Sequence, residues 1–275
     1  MSFRLDFGSR TYIMGILNLT PDSFSGDGIH EDVGRAVEQA EKMIDEGADI
    51  IDVGGESTRP GAAAVSIEEE IKRVIPVIER LSKAVSVPIS IDTRKSEVAR
   101  QALDKGASMI NDITGLESDA GMAKLAARYD ANVIIMHIKG GPQTMQEKPV
   151  YSDLMIEITE KLAGLIKNAE ANGVKQENII IDPGIGFGKT FEHNLEILQN
   201  LSYFKALGRP ILVGPSRKSF IGNILGVEPS QRIFGTAAAA AIAIKNGADV
   251  VRVHDVREMR QVAMVVDSIV SGSVR

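Results

Sequence analysis

The chain has 275 residues, a formal net charge of −6 and no cysteine. Its length suits one large domain, since an α/β barrel needs roughly 250 residues. The acidic balance, with Lys and Arg scattered, argues against nucleic acid or an anionic membrane surface as main partner; the missing cysteines remove disulfides, thiolate metal sites and cysteine nucleophiles.

The opening residues carry acidic Asp6 before a short apolar run and lack a small-residue cleavage site, so they do not read as a signal peptide. No apolar run is long enough to span a bilayer, and a cytoplasmic location is expected. Residues 12–17 form the first β-rich run and 31–46 a helix with Val33, Val37, Ala40 and Ile44 on one face. A strand at 49–53 precedes a helix with Ser66 as cap, Glu69 completing a capping box, and an apolar stripe from Ile67 to Leu81 that Pro76 should kink. Strands at 88–91, 108–113, 132–136, 178–181, 210–213 and 249–253 follow. The helices between and after them are at 96–105, 118–129, 152–172, 191–207, 216–225, 229–246 and 255–270.

Most of these strands are continuous Ile, Val and Met runs, which suits parallel strands buried on both faces. The phrases Gly47-Ala48-Asp49, Gly106-Ala107-Ser108 and Gly247-Ala248-Asp249 read as tight joints from helix to strand. Eight β-then-α units without a linker predict one α/β domain over residues 1–275, a (β/α)8 TIM barrel. An open doubly wound sheet is the rival. The residues before Thr11, turning at Gly8-Ser9, are expected to add a hairpin that plugs the barrel bottom.

Barrel chemistry sits where strands end and βα loops begin. Those positions hold Asn18, Glu56-Ser57-Thr58-Arg59, Asp92, Asn111-Asp112, His137, Asp182, Ser216-Arg217-Lys218-Ser219, Arg252 and His254. Polarity at strand ends reaching solvent accounts for some of them. It does not account for Asp92, Asp182 and Arg252, which adjoin buried-type residues and need an ion partner or a ligand to offset desolvation. Asp92, Asn111 and Asp182 suit a heterocycle with adjacent N–H donors and acceptors. Arg59, Lys218, Arg252 and His254, with helix N-termini, suit phosphate or carboxylate groups.

The segments Gly15-Ile16-Leu17-Asn18-Leu19-Thr20-Pro21-Asp22-Ser23-Phe24-Ser25 and Asp52-Val53-Gly54-Gly55-Glu56-Ser57-Thr58-Arg59-Pro60-Gly61 resemble two signatures of the dihydropteroate synthases. Met136-His137, Gly141 to Gln146, Asp182-Pro183-Gly184-Ile185-Gly186-Phe187, Ser216-Arg217-Lys218-Ser219-Phe220 and Arg252-Val253-His254-Asp255 are similar to further family segments, in the family's order along the chain. One departure is Gly26-Asp27-Gly28, where the family more often has Asp-Gly-Gly.

The resemblance implies condensation of (7,8-dihydropterin-6-yl)methyl diphosphate with 4-aminobenzoate to 7,8-dihydropteroate and diphosphate, an alkyl transfer in folate biosynthesis. It places the pterin on Asp182, which accepts from the 2-amino group and N3–H, on Asn111 and Asp92, and on Lys218 near the ring carbonyl and N5. Thr58, Arg59 and Met136 join the substrate-binding set. Diphosphate goes to Arg252, His254 and Mg2+, with Asn18 as the ion's protein ligand. 4-Aminobenzoate goes between Phe187, Pro60 and Phe24, with its carboxylate near Ser219. Asp92, Lys218 and Arg252 are the catalytic candidates, and departure of diphosphate before amine attack is the expected order. A homodimer is expected from the last helices. The alternatives are a methyltetrahydrofolate:corrinoid methyltransferase-like protein, which has no use for a diphosphate clamp, and a non-catalytic pterin-binding protein. A sulfonamide-tolerant enzyme is a further variant; no insertion near Phe24 or Phe187 supports it.

Overall fold

The computed structural model of the chain describes residues 5–19, 29–57, 64–141, 145 and 149–272. Eight parallel strands are present among them: β1 (Tyr12–Asn18), β2 (Ile50–Gly54), β3 (Ile89–Asp92), β4 (Met109–Asp112), β5 (Asn132–Met136), β6 (Ile179–Asp182), β7 (Leu212–Val213) and β8 (Val250–Val253). Their order is β6-β5-β4-β3-β2-β1-β8-β7. The two end strands meet through a parallel bridge between Ile181 and Ile211, and Ile181 N–H donates to the Pro210 carbonyl at 2.9 Å. The sheet therefore closes on itself, and the open doubly wound rival falls.

Period-two alternation sorts the strand side chains into two populations. Ile13, Leu17, Ile51, Val53, Ile89, Ile91, Ile110, Val133, Ile135, Ile181, Val251 and Val253 face outward into the main core beneath the helices. Tyr12, Met14, Ile50, Met109, Ile134, Ile180, Leu212 and Val250 face inward and fill the lower barrel as a separate apolar cluster. Inward positions above that layer carry Asp52, Ser90, Asn111, Asp182 and Arg252. A dry floor below a polar storey is thus written into the alternation.

Around the strands run α1 (Ile29–Asp45), α2 (Ile67–Ala84), α3 (Ser96–Asp104), α4 (Met122–Tyr129), α5 (Leu154–Ala171), α6 (Phe191–Gln199), α7 (Ser219–Leu225), α8 (Ile233–Lys245) and α9 (Val256–Ser271). The three Gly-Ala joints behave as read: Gly47, Gly106 and Gly247 take φ of +103°, +110° and +104° just before a strand. In two of them the aspartate ties its joint to the neighbouring strand, since Asp49 Oδ2 accepts from Ile13 N–H of β1 at 2.8 Å and Asp249 Oδ2 from Ile211 N–H, just ahead of β7, at 2.9 Å.

Several boundaries differ from expectation. The helix expected at 118–129 begins at Met122, because Asp112, Thr114 and Ser118 form a hydrogen-bonded turn first. The helix expected at 191–207 breaks after Gln199 into a 3-10 segment over Leu201–Leu207. Pro76 lies inside α2, which continues to Ala84. No hairpin forms among the described residues before Thr11. A turn serves instead: Leu5 and Phe7 pack on the lower apolar cluster, the rings of Phe7 and Tyr12 meet edge to face, and Tyr12 Oη donates to the Asp6 carbonyl at 3.1 Å.

Candidate active site

The polar residues lie at or near the carboxyl ends of their strands. Asp92 of β3 pairs with Asn111 of β4, Met136 of β5 with Asp182 of β6, Gly54 of β2 with Asp92, and Met14 of β1 with Arg252 of β8. At the centre Arg252 spans two carboxylates: Nε donates to Asp52 Oδ2 and Nη2 to Asp92 Oδ2, each at 2.6 Å. Asn111 Nδ2 also donates to Asp52 Oδ2 at 3.0 Å. Its amide nitrogen is held by a carboxylate, so its oxygen is presented elsewhere as an acceptor. Asp52 is completely buried, and among the described residues its Oδ1 has no hydrogen-bond partner. Burial holds Asp92 well above the ordinary carboxylate range, against the pull of Arg252.

Asp182 is positioned by its own turn. Its Oδ1 accepts from Gly184 N–H at 2.7 Å, and burial pushes the carboxyl up to about 6, partly offset by that N–H and by Lys218. Gly184 sits at φ +73°, and a Cβ there would lie 2.0 Å from the His137 carbonyl oxygen, so only glycine allows this close crossing of two strand crests. Lys218 Nζ lies 4.2 Å from the centroid of the Phe187 ring, a cation–π contact. Burial and the nearby Arg252 bring Lys218 down to about 8, while Asp182 and Asp92 pull it up.

The turn that aims Lys218 inward is fixed from behind. Arg217 takes a left-handed φ of +58°, an unfavourable conformation for a non-glycine residue. Its N–H donates to the buried Thr236 Oγ1 at 3.1 Å, its guanidinium clasps Asp255 at 2.6 and 3.1 Å, and Arg232 Nη1 donates to its carbonyl at 2.9 Å. Beside it, His254 Nδ1 lies 2.9 Å from Ser216 Oγ. Burial, with Arg217 and Arg252 nearby, lowers His254 to about 4, so the free imidazole is neutral at physiological pH. Asn18 ends β1 at the same rim: a methyl on Gly54 would lie 3.6 Å from Asp92 Oδ2 and 3.7 Å from Asn18 Oδ1. Ser219, the first residue of α7, is exposed, and Met136 and Phe187 are buried together in a small apolar cluster.

Asp92, Asn111, Asp182, Lys218, Arg252, His254 and Asn18 all come to one end of the barrel. Phe24, Thr58, Arg59 and Pro60 lie outside the described residues. The feet of the segment bearing the last three are anchored, since Lys95 Nζ donates to Glu56 Oε2 at 2.7 Å, to the Val65 carbonyl at 2.8 Å, and to Glu70. Two rim readings change. Asp112 serves its own turn, accepting from Thr114 N–H and Oγ1 at 2.8 and 2.6 Å, and His137 is buried against Lys189. Sequence reasoning missed Asp52 as a separate residue. The pattern Ile51-Asp52-Val53 carries the signal that flagged Asp92 and Asp182: a charge flanked by buried-type residues in a strand.

The family model "Pterin binding enzyme" matches residues 14–254. A dihydropteroate synthase of Synechocystis is 51% identical over 265 residues, covering 96% of this chain and 92% of the relative. The chain belongs to the dihydropteroate synthase family of pterin-binding enzymes. The dihydropteroate synthase of Clostridium difficile, solved in the presence of pteroic acid, is 50% identical with a TM-score of 0.92, covering 96% of this chain and 98% of that one. That of Xanthomonas albilineans, in complex with 7,8-dihydropteroate, is 41% identical with a TM-score of 0.86, covering 94% of each chain. The resemblance read from the motifs and the barrel inferred from the strand pattern are both borne out.

Proposed function

We propose that the polar storey of the barrel receives the pterin ring edge-on, and that the chain joins (7,8-dihydropterin-6-yl)methyl diphosphate to 4-aminobenzoate. The observation that carries this is the convergence of the Asp182 carboxylate, the Asn111 amide oxygen and Asp92 at one end of a closed barrel, around Lys218 and Arg252 and beside His254. A carboxylate can accept two parallel hydrogen bonds, and the 2-amino group and N3–H of a pterin supply such a pair. Asp182 takes that role, Asn111 a neighbouring ring nitrogen, Asp92 another edge, and Lys218 the ring carbonyl and N5. Thr58, Arg59 and Met136 complete the substrate contacts.

The C–O bond between the exocyclic methylene and diphosphate breaks, and a C–N bond to the arylamine forms, with loss of one N–H proton. Departure of diphosphate first leaves a cation spread over the electron-rich ring, and Asp92 stabilises that charge. Arg252 meets the leaving group with the N–H donors that Asp52 and Asp92 do not take, and His254 is the second cationic group once a phosphate favours its protonation. Asn18 fits a Mg2+ ion held mainly by water and diphosphate oxygens, because its hard amide oxygen lies at the same rim as Asp92. When bound, the ion neutralises charge on the diphosphate. 4-Aminobenzoate goes against Phe187, with Pro60 and Phe24 as further walls and its carboxylate near Ser219.

The packed pair of helices α8 and α9 exposes Phe234, at 84%, and Ile242 on the first and Met264, Val265 and Ile269 on the second. A homodimer through these helices accounts for that surface. No described helix is long and apolar enough to cross a membrane, and a cytoplasmic location is part of this proposal.

The test is a coupled measurement of the pterin diphosphate, Mg2+ and 4-aminobenzoate with wild type and Asp182→Asn. The amide keeps one acceptor but turns its NH2 toward the second ring donor. One hydrogen bond to a charged group, about 1.5–3 kcal/mol, is lost and a buried donor is left unpaired at about 1–3 kcal/mol, which predicts a fall of about 100-fold or more in kcat/KM for the pterin. Unchanged kinetics would remove the assigned role of Asp182. No turnover by the wild type would remove the enzymatic reading.

A further inference from the structure

One buried charged side chain has no part in the chemistry above. Lys189 lies two residues beyond Phe187 and is 3% exposed. Its Nζ meets three acceptors: His137 Nδ1 at 2.9 Å, the Phe187 carbonyl at 2.9 Å and the His137 carbonyl at 3.3 Å. Three acceptors match the three N–H donors of an ammonium group, and an ammonium at Nδ1 leaves the His137 proton on Nε2. Among the described residues no carboxylate is hydrogen-bonded to Lys189. The charges facing it are Asp182 on β6 and Lys218 at the head of α7, with His137 at the crest of β5. Tyr151 Oη takes the adjoining Gly188 carbonyl at 2.7 Å. A Cβ on Gly184 would lie 3.3 Å from Nζ as well as 2.0 Å from the His137 oxygen, so this lysine sits at the crossing of the β5 and β6 crests.

An apolar side chain of similar length could fill this position without burying a charge, so its retention needs a role beyond packing. We propose that Lys189 is a positioning residue for pterin recognition, stitching the end of β5 to the turn that carries Asp182 and Phe187 and facing Asp182 with a positive charge that keeps it a carboxylate. The inference rests on the assignment of Asp182 to the pterin edge. Burial brings Lys189 down to about 7, against the pull of Asp182, and burial pushes Asp182 up to about 6, against Gly184 N–H, Lys218, Lys189 and Arg252. The two charges therefore support each other over the pH range where the pterin site needs its anion.

The experiment is equilibrium binding of 6-hydroxymethyl-7,8-dihydropterin to the full chain, followed by fluorescence from pH 5.5 to 8.5, for wild type, Lys189→Met, Lys189→Arg and Asp182→Asn. Thermal melts confirm that each variant is folded. Lys189→Met is expected to move the acid limb to higher pH by about one unit at Asp182, so that it binds about threefold more weakly near pH 6.5 and close to tenfold more weakly at about pH 5.5. The gap should narrow above pH 8, where the wild-type lysine also loses its proton. Lys189→Arg keeps the charge and should restore the acid limb. A loss of equal size at every pH, or none at any pH, would overturn the inference. If Lys189→Met does not fold, Lys189→Gln is judged by the same criterion. Asp182→Asn that binds like wild type would be a separate failure, that of the Asp182 assignment itself.

Discussion

Replacing Arg252 with Met tests the electrostatic centre of the site. In the wild type this guanidinium sits 2.6 Å from both Asp52 Oδ2 and Asp92 Oδ2. The Asp52 side chain is completely buried and that of Asp92 is 11% exposed. Removing one partner of a buried ion pair costs about 3–5 kcal/mol, because the charge left behind is uncompensated. At roughly 2 °C per kcal/mol for a domain of this size, the melting temperature should fall by about 6–10 °C near pH 8.5. The loss should depend on pH with a definite sign. Without Arg252 the folded-state pKa of Asp92 rises further above the unfolded value of about 3.9, so between those values the folded state binds more protons than the unfolded state. Stability relative to wild type is then regained as pH falls through the raised folded pKa, and Asp92 is already raised with Arg252 present. Urea unfolding of both proteins at pH 5.5 and pH 8.5 measures this, and Arg252→Met with Asp52→Asn should recover part of the loss at pH 8.5. A deficit equal at both pH values, or below about 1 kcal/mol at the higher one, would refute the reasoning.

Gly184→Ala should disrupt the pterin turn, because a Cβ would meet the His137 carbonyl oxygen at 2.0 Å with φ at +73°; pterin binding and melting temperature should both fall, and a variant with wild-type affinity would contradict the close crossing. His254 is held down to about 4 in the free protein. Diphosphate binding near pH 6.5 should therefore be accompanied by proton uptake, read by calorimetry in buffers of different ionisation enthalpy. His254→Asn should take up fewer protons and bind diphosphate less tightly; equal uptake by both would remove the imidazole from the clamp.

The strand pattern made the barrel legible because inward and outward faces are both buried, so each strand reads as a continuous apolar run. The charges interrupting those runs marked Asp92, Asp182 and Arg252. Asp52 obeys the same rule but was read as one letter of a motif; its partner Arg252 is 200 residues away, and spacing alone cannot join them. Lys189 gave no signal, since a lysine in a Gly-rich turn looks solvated until the fold covers it. The same holds for Glu70 in α2, which is completely buried and meets Lys95 across the loop base. Helix starts were misjudged where Ser and Asp formed turns ahead of the helix, as at Ser118 and Ser216, since these residues serve both purposes.

A crystal soaked with 6-hydroxymethyl-7,8-dihydropterin gives the shortest path to the main claim. The ring should stand on the apolar floor formed by Met14, Ile50, Met109 and Ile134, with its 2-amino and N3 edge at hydrogen-bonding distance from the Asp182 carboxylate, about 2.7–3.2 Å, and with Asn111 and Asp92 on the adjoining edges. A ring bound elsewhere, or one that leaves those three side chains without contact, would contradict the account.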